Sequence, residues 1–334
     1  MAHIIADFKP FHGQHCETTA TGSLIINQSG LDFSEPMLFG LGQGLGFIFW
    51  NMKTMDCPFI GGRIKPEAIT QNIAANLNLT LKAGETASTK KAWETVKNNI
   101  DRNIAVGLKL DCYHLDYFSR KMHFACHYVA MYGYDENFAY LVDTTSQGTK
   151  ARTSLKSLEL ARNEKGPMSS KNLSYTIQAL NKGCNIKEAV MTAIRNNAAD
   201  YLNPPIKNIG YKGILKASDE IKKWFKNSKH IKRDFKTTAT LMERGGTGGA
   251  LFRNLYRDFL KEAFNLTAIM EIDEAYKIFA ETAVLWTDVS TLLDKAGDTQ
   301  DVTYINQASE ILAGISEKEK SAMELLLNRC SPLP

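Results

Sequence analysis

A thiol, an imidazole and a carboxylate carry out nucleophilic acyl transfer when a fold brings them within hydrogen-bond reach. Cys16 is the thiol best placed for it. It follows the polar loop FHGQH and precedes ETTATGSLIINQ, a helical stretch stopped by Gly30. The thiol therefore sits beside a helix N-terminus, where unpaired backbone N–H groups and the positive end of the helix dipole favour the thiolate, the nucleophilic form. The Cys16 backbone N–H is also an oxyanion donor, and Gln14 and His15 are candidates for a second one. Cys112 and Cys126 alternate into strand patterns and read as small buried hydrophobes.

The base and its orienting group come from one hairpin. Residues His123 to Tyr134 alternate as a strand, 135–137 supply turn chemistry, and Phe138 to Val142 return. His127 and Asp143 are sixteen residues apart with Asp135 midway, so a symmetric hairpin sets them directly opposite. Opposed residues have Cβ atoms about 4.5–5.5 Å apart, close enough for a carboxylate to hold an imidazole. A β-bulge would shift the register by one residue and break that facing. His123, on the same strand face, is the competing base. The expected triad is Cys16, His127 and Asp143.

The elements that must position these groups follow from patterning. Ser34 and Glu35 start a second helix, Phe47 to Trp50 reads as a buried strand, and Ala92 to Arg102 as a helix before a strand at Ala105 to Leu110. From about Ser154 the pattern is nearly all helical, with helices at Gly183 to Asn196, around Asp219 to Asn227, and at Phe252 to Leu266. The expected fold class is α+β, with a catalytic domain over 1–153 and a helical domain over 154–334.

Composition fits that division. The 334 residues are 44% hydrophobic and 23% charged, the balance of a folded globular chain. The most apolar stretch, Met37 to Trp50, is shorter than the ~20 residues of a membrane span and is broken by glycines. The N-terminus lacks the pattern of a secretory signal, which points to a cytoplasmic location. Six scattered cysteines, including Cys330, do not form a disulfide framework and read as reduced thiols.

The segments HCETTATGSLIINQSGLDFSEPMLFGLGQGLGFIFW and HYVAMYGYDENFAYLVDTT resemble the N-terminal domain of the butirosin biosynthesis protein H family, and RGGTGGALFRNLYRDFLKEAF is similar to the helical region that accompanies it. The resemblance implies a papain-like fold whose members carry acyl groups from a carrier protein's phosphopantetheine thioester to an amine. It implies the same three residues as triad, no bound cofactor, a polythioamide-type acyl chain, and a small amine or diamine as acceptor. Papain-like enzymes place an oxyanion glutamine six residues before the cysteine; here that position is Pro10, so that donor does not carry over.

Several other features bear on function. The run Gly40 to Gly46 lacks the third glycine of a dinucleotide fingerprint; Gly42 and Gly44 either pack closely or line a thioester channel. The run Gly245 to Gly249 lacks a P-loop lysine and reads first as a helix-entry loop, with a phosphate cradle as the alternative. Between Ile206 and Lys236 stand ten Lys or Arg against three Asp or Glu. Lys222, Lys223 and Lys226 are the expected docking residues for an acidic carrier protein, and no nucleic-acid module is present. His12, His15, Cys112, His114, His123, Cys126 and His127 include enough ligand types for zinc, but neighbours on a strand point to opposite faces and no C-x-x-C knuckle occurs, so no metal is expected. A cysteine peptidase or amide hydrolase and a non-catalytic carrier-binding module remain the alternatives to a transferase.

Overall fold

The computed structural model describes residues 2–52, 55–119, 121–166, 168–179 and 183–329. After the short strand β1 (His3–Ile4), helix α1 (Cys16–Ser29) begins where His15 is extended and its ring accepts the Thr18 N–H, and it ends at Gly30, whose φ of 70° is left-handed. Every residue from Cys16 to Ile25 is buried, so α1 has no solvent face along its first turns. Small residues make that possible. A Cβ on Gly22 would lie 2.8 Å from both Leu38 and Phe11. The hydroxyls of Thr19 and Ser23 return to the carbonyls four residues earlier, which satisfies them without water.

Then follow α2 (Glu35–Leu41), β2 (Leu45–Trp50), β3 (Phe59–Arg63), α3 (Ala68–Asn76), β4 (Thr80–Gly84), α4 (Thr89–Ile100) and β5 (Val106–Leu110). A 3₁₀ turn at Cys112–His114 leads on to β6 (His127–Tyr134), β7 (Phe138–Val142), β8 (Lys150–Ser154), α5 (Leu155–Asn163) and β9 (Ser174–Gln178). One antiparallel sheet runs β4-β9-β5-β6-β7-β8, with β1 paired to β6. Two expectations are corrected here. The strand containing the candidate base begins at His127, not at His123. The region beyond Ser154 also contributes β9, a five-residue strand too short to stand out among helical patterns, which inserts between β4 and β5.

The two faces of the sheet are covered differently. Val106, Leu108 and Leu110 of β5 share a core with Val96 and Ile100 of α4 and with Leu158 and Ala161 of α5. Gly107, pointing the other way, meets the ring of Tyr175, whose hydroxyl reaches Thr21 of α1 at 3.2 Å. So α1 lies on one face, and α4 with α5 on the other.

By contact the chain forms two compact units, 1–38 with 69–184, and 39–68 with 185–334. The sheet, α1, α4 and α5 belong to the first, and the 153/154 junction falls inside it. The second holds the β2–β3 hairpin with helices α6 (Ile186–Leu202), α7 (Gly210–Asn227), α8 (Ile231–Arg244), α9 (Arg253–Thr267), α10 (Met270–Thr299) and α11 (Val302–Arg329). Helix α6 starts three residues later than expected because Asn185 caps it, accepting the Glu188 N–H. No helix among the described residues is long and apolar enough to cross a membrane.

An ion pair with no exposed surface sits in the middle of the second unit. Arg253 donates from Nε and Nη2 to Glu319, both at 2.8 Å, and from Nη1 to the carbonyls of Leu251, Gly46 and Gly62. Glu319 also accepts from Trp286 Nε1 at 2.8 Å and from the Tyr201 hydroxyl. Five consecutive residues before Arg253, from Gly248 to Phe252, have positive φ, three of them not glycine. Such a backbone persists only where its surroundings over-determine it. Here Arg253 holds the Leu251 carbonyl, and Phe252 stacks on Phe39 with centroids 5.5 Å apart. In the same loop the Gly249 N–H goes to Thr247 and the Ala250 N–H to the Glu243 carboxylate, the pattern of a helix-entry loop rather than a phosphate cradle. Glu319→Ala leaves Arg253 buried and unpaired; the expected cost is about 3–5 kcal/mol in a urea melt. The double change with Arg253→Met should recover part of that loss.

Candidate active site

The ends of three elements hold the expected triad. Cys16 is the first residue of α1, His127 the first of β6, and Asp143 the residue after β7. His127 Nε2 lies 2.8 Å from Asp143 Oδ2 and is hydrogen-bonded there. Cys16 lies near enough to the ring to act on it, and its influence raises the His127 pKa. Two backbone bonds fix the loops: the Thr145 N–H donates to the Gly13 carbonyl, tying the cysteine loop to the aspartate loop, and the Asp143 N–H donates to Thr149.

The histidine and aspartate meet by a different register from the symmetric one. Near the tip Tyr134 pairs with Ala139 and Gly133 with Tyr140, but beyond a bulge Met131 pairs with Leu141 and Ala130 with Val142. Continued without the bulge, the tip register would set Asp143 opposite Ala130, on the face away from His127. The extra residue, Tyr132, sets it opposite Val129, two residues from His127 and on the same face. The contact is diagonal, within the reach of a carboxylate and an imidazole. A bulge was expected to spoil the facing; this one makes it.

The electrostatics favour an ion pair. Burial alone would push the His127 imidazole down, but the charge and hydrogen bond of Asp143, followed by those of Cys16, hold it well above its ordinary value. Burial would raise Asp143, yet the His127 charge and hydrogen bond, the Thr144 N–H and the Tyr117 hydroxyl hold it below the usual carboxylate range. Asp143 has no exposed surface. Its Oδ2 accepts from both His127 and the Tyr117 hydroxyl, the latter at 2.7 Å, and Oδ1 accepts the Thr144 N–H at 2.6 Å. Burial and the Asp143 charge push the Tyr117 hydroxyl up, so it stays a donor. Phe118 packs edge-on against the His127 ring, with centroids 5.3 Å apart. Nothing in the spacing of the sequence pointed to Tyr117.

Glu35 is a second residue that patterning missed, noted there only as a helix start. Its carboxylate accepts the backbone N–H groups of Gln14 and His15 and the Thr18 hydroxyl, all within 2.9 Å. Burial pushes its pKa up, against the opposing pull of those bonds. A Cβ on Gly13 would fall 2.8 Å from the same carboxylate, so this position needs glycine. The arrangement narrows the oxyanion candidates. The backbone donors of Gln14 and His15 are spent on Glu35, and the His15 ring accepts the Thr18 N–H. With Nδ1 accepting, the His15 ring carries its proton on Nε2, so it stands with the exposed side-chain amide of Gln14 and the Cys16 N–H among the oxyanion candidates.

The other expected residues lie as follows. His123 is off the strand, exposed, and hydrogen-bonded through Nδ1 to Asp111 at 3.1 Å, so it has a carboxylate of its own. Gly42 and Gly44 are buried in the second unit, where the Gly44 N–H donates to the Phe39 carbonyl and a Cβ on Gly44 would strike the Phe39 ring at 2.5 Å. Lys222, Lys223 and Lys226 are all exposed on α7, with Lys223 paired to Glu220 at 2.9 Å. The five described cysteines form no disulfide; Cys330 lies outside the described residues.

Residues 15–144 match the family model described as butirosin biosynthesis protein H, N-terminal. This stretch is similar to the N-terminal region of that family. That match begins one residue before Cys16 and ends one after Asp143, so it spans the whole constellation. Residues 156–326 match a second model, described as a domain of unknown function, DUF4872. No curated protein matches the chain.

The two pKa shifts set a pH window for stability. The depressed Asp143 contributes above its unfolded value near 4, and loses that contribution as pH falls through its folded value. The raised His127 contributes fully below its unfolded value near 6.5, and loses its part as pH rises through its folded value. Asp143→Asn should therefore destabilise most between about pH 4 and 6.5. Urea melts of both proteins across pH 4–9 check this; a difference that does not vary with pH would contradict the ion pair.

Proposed function

We propose that the chain is an amide-forming acyltransferase with a papain-like catalytic fold, in which Cys16 is the nucleophile, His127 the general acid and base, and Asp143 the group that orients His127. The observation that carries this reading is the His127–Asp143 hydrogen bond beside Cys16, which stands at the N-terminus of a buried helix and acts on the His127 ring. The match of residues 15–144 supports it, because the family is associated with acyl transfer in biosynthesis.

In the first step the Cys16 thiolate adds to the thioester carbonyl of an acyl group on a carrier protein's phosphopantetheine. The tetrahedral intermediate expels the pantetheine sulfur, and imidazolium His127 gives it a proton, leaving an acyl-Cys16 thioester and a neutral imidazole. Thioester exchange is close to isoenergetic, so this step needs little driving force. In the second step an amine adds to the acyl-enzyme while His127 takes its proton. Collapse of that intermediate releases the amide and restores the thiolate–imidazolium pair. Asp143 stabilises the imidazolium each time it forms, and Tyr117 holds Asp143 in place. The Gln14 amide and the Cys16 N–H are the proposed oxyanion donors.

No bound cofactor is needed, since the pantetheine arrives with the carrier. Carrier proteins are usually acidic, and the basic stretch with Lys222, Lys223 and Lys226 is the proposed docking face. The acceptor is a small amine or diamine and the acyl chain is of polythioamide type, both on the strength of the resemblance.

Intact-protein mass spectrometry tests this directly. The chain is mixed with an acyl-loaded carrier, with and without a diamine, beside Cys16→Ala. An acyl adduct that needs Cys16 and is discharged as an amide is expected, with slower loading for the double change Lys222→Glu and Lys223→Glu. Discharge to free acid alone would favour a hydrolase; a carrier left fully loaded would contradict both.

A further inference from the structure

We propose that His114, His123 and Glu164 form a binding site for a divalent metal ion of the zinc class, distinct from the triad. One ligand atom from each lies within 4.8 Å of the other two. The three come from separate parts of the first unit: His114 ends the 3₁₀ turn after β5, His123 lies in the stretch before β6, and Glu164 is the C-cap of α5. The sequence offered His114 and His123 among possible zinc ligands but gave no sign of Glu164, fifty residues beyond His114.

The surroundings resemble a site prepared for a cation. His123 Nδ1 is bound to Asp111 Oδ2 at 3.1 Å, so the ion would take the other ring nitrogen. A carboxylate that fixes the tautomer and orientation of a ligating histidine is the usual support around zinc. Asp111 is itself buried and held, with Oδ1 accepting the Tyr113 and Phe124 N–H groups at 2.9 and 3.0 Å. The Tyr113 ring stacks on His123 at 4.0 Å and meets His114 edge-on at 5.2 Å, which restricts both imidazoles. The third pair is already in contact, His114 Nε2 with Glu164 Oε2 at 2.5 Å.

Ligand chemistry selects the ion. Two imidazoles and a carboxylate suit zinc and its neighbours and disfavour calcium or magnesium, which take oxygen ligands. Around tetrahedral zinc, ligand atoms about 2.0–2.1 Å from the metal lie about 3.3 Å from one another. His114 and Glu164 would part slightly, and His123, whose side chain is 60% exposed, would close in. The fourth position would hold water. A bound ion would join the 3₁₀ turn, the end of α5 and the segment four residues before His127, and so brace the entry to β6.

The test is a zinc titration of the chelator-treated full chain against a chromophoric chelator, with thermal melts and cobalt spectra. One equivalent should bind to the wild type and to Cys16→Ala alike, and raise the melting temperature of both. His123→Ala and Glu164→Gln should bind at least about tenfold more weakly, and Asp111→Asn about 10- to 100-fold more weakly. His123 is exposed, so its variant should melt like the wild type without zinc and separates lost binding from lost folding. The cobalt spectrum should show nitrogen and oxygen ligands without thiolate charge transfer. Absence of stoichiometric binding, binding untouched by His123→Ala and Glu164→Gln, or binding lost in Cys16→Ala with a thiolate band would overturn the assignment.

Discussion

A carboxylate with no exposed surface dictates much of the first unit. Left unpaired in the interior, the Asp143 charge would cost several kcal/mol. It is instead bonded by an imidazole, a phenol and a backbone N–H, which together occupy both oxygens. Each partner depends on a different part of the fold: His127 on the start of β6, Tyr117 on the loop after the 3₁₀ turn, and Thr144 on the chain leaving β7. The imidazole that stabilises the carboxylate is in turn held protonated by it.

The second constraint is geometric. The first ten residues of α1 are all buried; the small run from Thr18 to Ser23 eases that packing, and the buried Glu17 carboxylate is satisfied by the backbone N–H and hydroxyl of Thr70. Glu35 then holds the loop before the helix by taking two of its backbone N–H groups, and Gly13 leaves room for that carboxylate. On the hairpin side, a single extra residue at Tyr132 decides which face Asp143 occupies. The site thus rests on a glycine, a bulge and a buried glutamate as much as on the three groups proposed to do the chemistry.

Much of this could be read from residue order, and the parts that could not share a cause. The helix after Cys16, the strand to Leu110 and the return strand Phe138–Val142 are local patterns with clear stop signals, and the residues appear in those elements. The contact between His127 and Asp143 was expected from spacing, although the direct facing behind that expectation is replaced by a diagonal one. Tyr117, Glu35, the cluster of His114, His123 and Glu164, and the Arg253–Glu319 pair depend on contacts between segments far apart in the chain. Periodicity carries no information about such contacts. Strand β9 was lost for a related reason, since five residues of alternation owe their place to the neighbours β4 and β5.

The most direct test of the central claim is the relative reactivity of the cysteines. Under limiting iodoacetamide, with labelled peptides followed by mass spectrometry, accessibility alone would favour Cys57 and Cys184, which are partly exposed, over buried Cys16. If Cys16 is paired with His127 as an activated nucleophile, it should label first, and His127→Ala should slow Cys16 while leaving the others unchanged. Labelling in the order of exposure, with Cys16 last and indifferent to His127, would contradict the account.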